Sequence, residues 1–349
     1  MATVNQSKPS IPADEHVHKG IHHPVIPAKA GIHKNKHVNH LESLSTASIR
    51  QIIQNSELDS LDTRLLLAHT LSCQKEKLII NHDYELSINE FQNFIHDYAK
   101  CKAGMPISYI LGYREFYSRL FKVTTDTLIP RPDTELLVDT VINLCKEQSQ
   151  HNISNKIQYK LATDESHNFK NEPLLPTRDV RQNLSLLELG TGTGCIAISC
   201  KLENSNLQVT ATDKYPATLE VAKSNAKTHN ADINFIQSDW YSDITGQFNF
   251  IVSNPPYISA NDEHLVDLSY EPQYALTDFA DGLSCIRRIV SDAPRYLKND
   301  GYLILEHGYN QGEQVRSLLS DQGFREVGTI LDYAGLERVT LGRYFFIAS

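Results

Sequence analysis

Apolar and polar residues follow three different rhythms along the chain. From about Leu41 to Leu111 the apolar positions recur every three or four residues. Leu61, Leu65, Leu66 and Ala68 share one side, and Phe91, Phe94, Ile95 and Tyr98 follow the capping-box sequence Ser87-Ile88-Asn89-Glu90. That spacing predicts a small bundle of short amphipathic helices. Across residues 112–130 the pattern alternates through Phe116, Tyr117, Leu120, Phe121, Val123 and Leu128, which predicts a β-hairpin linking two parts of the molecule. From Leu184 onward, short apolar runs alternate with helical stretches, the signature of an α/β domain with a mostly parallel sheet.

Two polar stretches interrupt this order. Residues 1–40 carry seven histidines and several prolines and read as a disordered extension; residues 148 to about 183 read as an inserted surface loop. Between them, Ile129-Pro130-Arg131-Pro132-Asp133-Thr134-Glu135 leads into an apolar helix from Leu136 to Leu144. Prolines and acids at that position suit a helix start, and a charged rim over a ligand pocket is an equal reading. The C-terminal part is expected to hold a helix from Asp281 to Leu297, a strand from Tyr302 to Glu306, and a hairpin of Arg338–Leu341 with Arg343–Ile347 around Gly342. His307 beside Glu306 reads as half of a structural polar pair.

Charge and cysteine usage narrow the function. With 33 Lys and Arg against 42 Asp and Glu, the formal charge of −9 disfavours a protein that grips nucleic acid through its phosphates. Six scattered cysteines form no Cys-x-x-Cys pair, so no zinc site or disulfide framework is signalled. No run of 18 apolar residues occurs, and the N-terminus lacks the apolar segment of a signal peptide. A soluble, cytoplasmic protein without a metal is the expectation.

The candidate chemistry lies at strand exits, where open α/β sheets bind ligands. The strand Leu184–Leu189 contains Glu188 and runs into Gly190-Thr191-Gly192-Thr193-Gly194, a turn whose glycines let backbone approach a ligand closely. The next strand, Gln208–Thr212, ends in Asp213, placed to accept bonds from ribose hydroxyls. A third, Ile233–Gln237, leads to Ser238-Asp239-Trp240, an acid and an indole able to hold an adenine. The fourth, Phe250–Ser253, is stopped by Asn254-Pro255-Pro256-Tyr257. That stiff loop offers a side-chain amide, backbone carbonyls and an aromatic face, a set suited to a planar NH2 group that must be oriented as a nucleophile. The Gly-x-Gly-x-Gly spacing, with no phosphate-loop lysine, favours an adenosylmethionine pocket over a dinucleotide one.

With Gly112–Phe116, Leu128–Glu135, Glu188–Gly194, Ser238–Trp240, Val252–Tyr257, Leu305–Gly308 and Glu337–Arg343 in this order, the chain from about residue 41 resembles the release factor glutamine methyltransferase family, the PrmC/HemK proteins. The resemblance implies a class I, Rossmann-like methyltransferase fold with a seven-stranded sheet, a C-terminal antiparallel hairpin and a small N-terminal helical domain at residues 41–111. A small module beside a larger catalytic domain is expected to help choose the partner. The resemblance also implies methyl transfer from S-adenosylmethionine to the side-chain amide nitrogen of glutamine in the Gly-Gly-Gln motif of class I peptide chain release factors. A monomer with neither nucleic acid nor membrane as partner is the expectation. By the family pattern Gly190, Thr191, Gly192, Thr193, Gly194, Asp213, Trp240 and Asn254 hold the cofactor. Asn254, Pro255, Pro256 and Tyr257 receive the glutamine, with the Asn254 oxygen and the Pro255 carbonyl orienting its NH2. Rival readings are an adenine-N6 nucleic-acid methyltransferase, a nicotinamide oxidoreductase and a silent cofactor-binding scaffold.

Overall fold

The computed structural model describes residues 41–162 and 183–346. The expected extension at 1–40 lies outside the described residues. The helices α1 (Ile49–Asn55), α2 (Ser60–Thr70), α3 (Lys77–Ile80), α4 (Ile88–Lys102) and α5 (Ile107–Leu111) pack around Ile52, Leu66, Leu67, Leu78, Phe91, Phe94 and Tyr98. The capping box forms as expected: Ser87 Oγ accepts from Glu90 N at 3.3 Å, and Glu90 Oε2 accepts from Ser87 N at 2.7 Å. On α2 the buried face differs from the expected one. Leu66 and Leu67 are buried, whereas Leu61, in the first turn, is 54% exposed.

Strands β1 (Tyr113–Phe116) and β2 (Arg119–Lys122) form the linking hairpin, which is shorter than the alternation suggested. Tyr117 and Ser118 at its turn both have positive φ, the backbone that matches strand twist in a two-residue hairpin loop. The hairpin is fastened to the larger domain by Asn225, a buried side chain on the helix Pro216–His229. Its Oδ1 accepts from Lys122 N at 2.8 Å, and its Nδ2 donates to the carbonyls of Lys122 and Thr193.

Helix α6 (Glu135–Ala162) follows, and it corrects the expected loop: the helix continues through 148–162 despite its polar composition. Residues 163–182 lie outside the described residues. Then come β3 (Ser185–Leu189), α7 (Cys195–Glu203), β4 (Gln208–Asp213), α8 (Pro216–His229), β5 (Asn234–Gln237), β6 (Phe248–Ser253), α9 (Ser284–Tyr296), β7 (Leu297–Glu306), α10 (Gly312–Asp321), β8 (Arg325–Leu331) and β9 (Glu337–Tyr344). The sheet has seven strands in the order β5-β4-β3-β6-β7-β9-β8. Pairings from β5 through β7 are parallel, and β9 runs antiparallel to both β7 and β8.

The C-terminal hairpin is present, but its strands are not those expected. Residues 338–344 lie within one strand, β9, whose hairpin partner is β8. Gly342 is no turn: a Cβ there would stand 2.8 Å from Leu319 Cδ2, so glycine at this position lets α10 pack closely on the sheet. The central strands β3 and β6 are buried on both faces. Leu186 and Phe250 face one apolar layer, while Leu187, Leu189 and Ile251 face the other, as a sheet covered on two sides requires.

Candidate functional site

Strand order reverses between β3 and β6, the topological switch point where open α/β sheets place ligands. These two strands are in register at their ends, Leu189 opposite Ser253, and Ser253 Oγ donates to Leu189 O at 2.7 Å. The glycine turn and Asn254 therefore leave the sheet side by side. A cavity of about 330 Å³ opens here, lined by Gly190, Thr191, Gly192, Thr193, Asp213, Trp240, Asn254 and Pro256 among others.

The glycine turn owes its shape to Glu188, which is fully buried on β3. Its Oε2 accepts from Thr191 Oγ1 at 2.6 Å and from Ala197 N at 3.1 Å, tying the turn to the start of α7. Burial pushes this carboxyl up to about 8, against those two hydrogen bonds. Gly192 and Gly194 have φ of +56° and +81°, in the left-handed region. Gly194 does not line the cavity; it lies against Ile198 and Ala222 and serves the packing of α7 on α8.

Asp213, at the exit of β4, braces the turn after β3. Its Oδ2 accepts from Gly192 N at 3.1 Å and its Oδ1 from Tyr215 N at 3.0 Å. Burial raises its carboxyl above the ordinary range, opposed by these backbone bonds. Trp240 has φ +56° and passes beside Gly190, whose added Cβ would lie 3.9 Å from Trp240 Cζ3. Ser238 holds that strained turn by donating to Trp240 O at 2.8 Å. The neighbouring Asp239 is flanked by Lys214 and Arg288, each at 3.2 Å.

At the fourth exit, Asn254 Nδ2 donates to Thr134 Oγ1 at 3.2 Å. Among the described residues no hydrogen bond reaches its Oδ1, which leaves an acceptor. Pro255 is buried. Tyr257 is outside the cavity lining: its hydroxyl donates to Glu306 Oε1 at 3.2 Å, and its carbonyl accepts from Gln311 Nε2 at 3.0 Å. Its ring packs against the apolar layer that holds Leu187 and Leu189.

The Arg131 loop serves as cavity wall and as tertiary anchor rather than only as a helix start. Arg131 pairs with Glu271, a residue 4% exposed, and Glu271 Oε2 also accepts from Ile129 N at 3.0 Å. Asp133 pairs with Arg338 at 3.4 Å, and Glu135 Oε1 accepts from Tyr117 N at 2.8 Å. Glu306 and His307 do not pair with each other. His307 Nδ1 lies 2.8 Å from Gly308 O and so donates; its Nε2 lies 2.7 Å from Thr340 Oγ1 and accepts. Burial lowers its pKa, and it stays a neutral structural residue.

Sequence reasoning missed Thr134, Glu271, Asn225 and Glu306 as parts of the site. Thr134 and Glu306 lay inside noticed motifs, but what they touch is more than a hundred or about fifty residues away. No group of His, Cys, Asp and Glu among the described residues is arranged to hold a metal ion.

The chain is similar to known proteins over two separate stretches and over most of its length. Residues 46–112 match the PrmC N-terminal domain family, and residues 171–268 match the methyltransferase small domain family. The chain is 38% identical over 312 residues to the release factor glutamine methyltransferase of Vibrio cholerae, covering 87% of this chain and 96% of that one. It is 36% identical over 310 residues to that of Aliivibrio fischeri, covering 87% and 97%. Among solved structures, the release-factor-specific protein-(glutamine-N5) methyltransferase of Alicyclobacillus acidocaldarius is 26% identical, with 64% of this chain and 99% of that one covered at a TM-score of 0.34. The sheet, with its parallel core, its antiparallel final pair and a cavity at the switch point, is that of a class I methyltransferase. Within that class, the chain belongs to the release factor glutamine methyltransferase family.

Proposed function

We propose that the protein transfers a methyl group from S-adenosylmethionine to the side-chain amide nitrogen, N5, of the glutamine in the Gly-Gly-Gln motif of class I peptide chain release factors. The observation that carries this reading is Asn254: its amide is held through Nδ2 by Thr134, leaving Oδ1 as an acceptor in the same cavity as Gly190–Thr193, Asp213 and Trp240.

The cavity fits the cofactor by its donor set. Asp213 is a carboxylate in the wall, suited to ribose hydroxyls; Trp240 offers an indole face; and the nearby cations Lys214 and Arg288 are both engaged by Asp239 rather than left for phosphates. When bound, S-adenosylmethionine supplies a sulfonium methyl group, which a nitrogen lone pair takes as the carbon–sulfur bond breaks. An amide nitrogen is a poor nucleophile, because its lone pair is delocalised into the carbonyl. Asn254 Oδ1 and the Pro255 carbonyl accept the two N–H bonds and hold that nitrogen in one orientation, converting a rare encounter into a positioned one. The N–H proton becomes acidic only as the new N–C bond forms, and it leaves last, to water.

The helical module at residues 41–111 recognises the protein substrate, and a single chain in the cytoplasm carries the whole site. Asn254→Ala tests the assignment. Cofactor affinity by calorimetry should stay largely intact, since Asn254 is one of several cofactor contacts, while transfer is abolished; near-normal turnover would refute the role.

A further inference from the structure

Both ends of the Asn-Pro-Pro-Tyr loop converge on a carboxyl that the reaction described above does not use. Glu306, the last residue of β7, is 1% exposed. Its Oε1 accepts from the Tyr257 hydroxyl at 3.2 Å, and its Oε2 is buried with no hydrogen-bond partner. Ser253 lies opposite Leu305 in the sheet, so Asn254 and Glu306 leave it side by side, and the Thr134 hydroxyl favours the charged form of this carboxyl. That hydroxyl is also the acceptor for Asn254 Nδ2. Asn254 is thus held by Thr134 beside Glu306, and Tyr257 bonds to Glu306 directly.

The direction of these bonds depends on the charge at Glu306. An ionised carboxylate only accepts, whereas a protonated one also donates. Facing a carboxylate, Thr134 turns its proton toward Glu306 and its lone pairs toward Asn254. The donor end of the Asn254 amide must then point inward, leaving Oδ1 for the cavity. Facing a protonated carboxyl, Thr134 accepts from it and turns its own proton toward Asn254. The amide is then favoured in the flipped orientation, with Nδ2 toward the cavity, where a donor cannot take a substrate N–H.

We propose that Glu306 is a positioning residue for methyl transfer: its ionised carboxylate, acting through Thr134 and Tyr257, holds the Asn254 amide with its oxygen toward the substrate NH2. This rests on the function proposed above. The groups facing Glu306 are Asp133 from the turn before α6, Tyr257 from the loop after β6, Arg338 from β9 and Cys195 from α7. Burial dominates, the Thr134 and Tyr257 hydroxyls and the Arg338 guanidinium pull the carboxyl down, Asp133 pushes it up, and the outcome is about 7. The Cys195 thiol, pushed up to about 12 by burial, stays neutral and contributes no charge.

The test is kcat, and KM for a purified release factor, measured across pH for the unaltered enzyme, Glu306→Gln, Thr134→Val and Thr134→Ser. Unaltered enzyme should lose kcat as pH falls through about 7. Glu306→Gln should remove that limb and lower kcat by about 10- to 100-fold, the cost of a misplaced reacting group, with cofactor affinity unchanged by calorimetry. Thr134→Val should lower kcat similarly, and Thr134→Ser, which keeps the hydroxyl, should restore most of it. Independently of activity, the carboxyl carbon of Glu306 followed by 13C NMR should titrate near 7 and shift upward in Thr134→Val, which lacks the hydroxyl that favours the charged form.

Unchanged kcat in Glu306→Gln, an acidic limb retained there, equal loss of cofactor affinity, or a serine variant as poor as valine would each overturn the proposal. A failure of the unaltered enzyme to methylate any release factor would contradict the proposed function instead. The Glu306 titration would then still decide the Thr134 coupling.

Discussion

Gly192 donates its backbone N–H to Asp213 Oδ2 at 3.1 Å, so the turn after β3 and the exit of β4 are braced against each other across the cavity wall. Asp213 accepts a second backbone bond from Tyr215 with its other oxygen. The carboxylate therefore shapes the wall before any ligand arrives.

Asp213→Asn retains the size but turns one acceptor into a donor facing an N–H. We expect at least about a tenfold loss of S-adenosylmethionine affinity by calorimetry and about 1–3 kcal/mol of stability, the cost of an unsatisfied buried group. Unchanged affinity would remove Asp213 from the cofactor site.

Gly192 and Gly194 should respond differently to alanine. A Cβ at Gly194 would lie 3.0 Å from Ile198 Cδ1 and 3.3 Å from Ala222 Cβ, at φ +81°. Gly194→Ala should cost about 1–3 kcal/mol in urea unfolding through strain and overpacking. A Cβ at Gly192 meets nothing within 4 Å, yet this residue lines the cavity. Gly192→Ala should therefore lose cofactor affinity out of proportion to its smaller stability loss, and the reverse ranking would contradict the packing assigned to Gly194.

Much of this was legible in the chain, for a physical reason. Strand exits are local features: an apolar run, then a break, then a ligand-type residue within two or three positions. Gly190, Asp213, Trp240 and Asn254 could be read that way, and the structure brings all four to one cavity. Supports that act across the fold could not be read. Thr134 meets Asn254 across 120 positions, and Glu271 meets Ile129 across 142, pairings that no local pattern encodes. Gly342 misled because glycine in a strand marks either a bend or a close approach, and the Leu319 contact that decides between them comes from α10. The polar run after residue 148 misled because composition alone does not stop a helix that an apolar start has nucleated.

Arg131 and Glu271 join the loop before α6 to the segment after β6. Glu271 is 4% exposed, so removing its partner leaves a buried charge. Arg131→Ala should cost about 3 kcal/mol by chemical denaturation. A change below about 0.5 kcal/mol, the level of an exposed pair, would show that the tether is not formed in solution.

Two buried carboxyls set the pH response of stability. Glu188 and Glu306 are pushed up to about 8 and about 7, above the ordinary carboxyl range, mainly by burial. The folded state therefore holds protons that the unfolded chain releases. Their contribution is fully present below the unfolded pKa and is lost as pH rises through the folded values. The urea midpoint should fall between about pH 5 and pH 8.5, and Glu188→Gln should flatten the upper part of that fall. A midpoint that rises over this range would contradict the burial argument.

Ile79 and Ile80 on α3 are 72% and 78% exposed, an apolar pair on the module proposed to meet the protein substrate. Replacing both by serine should raise KM for a release factor about tenfold while leaving cofactor affinity intact. Unchanged KM would place recognition elsewhere.

The central claim is tested most directly by tritiated methyl transfer from S-adenosylmethionine to a purified class I release factor, beside a Gly-Gly-Gln→Gly-Gly-Ala version and duplex DNA. The account predicts label on the unaltered factor alone, at glutamine N5. Label on DNA, or equal label on the alanine version, would contradict it.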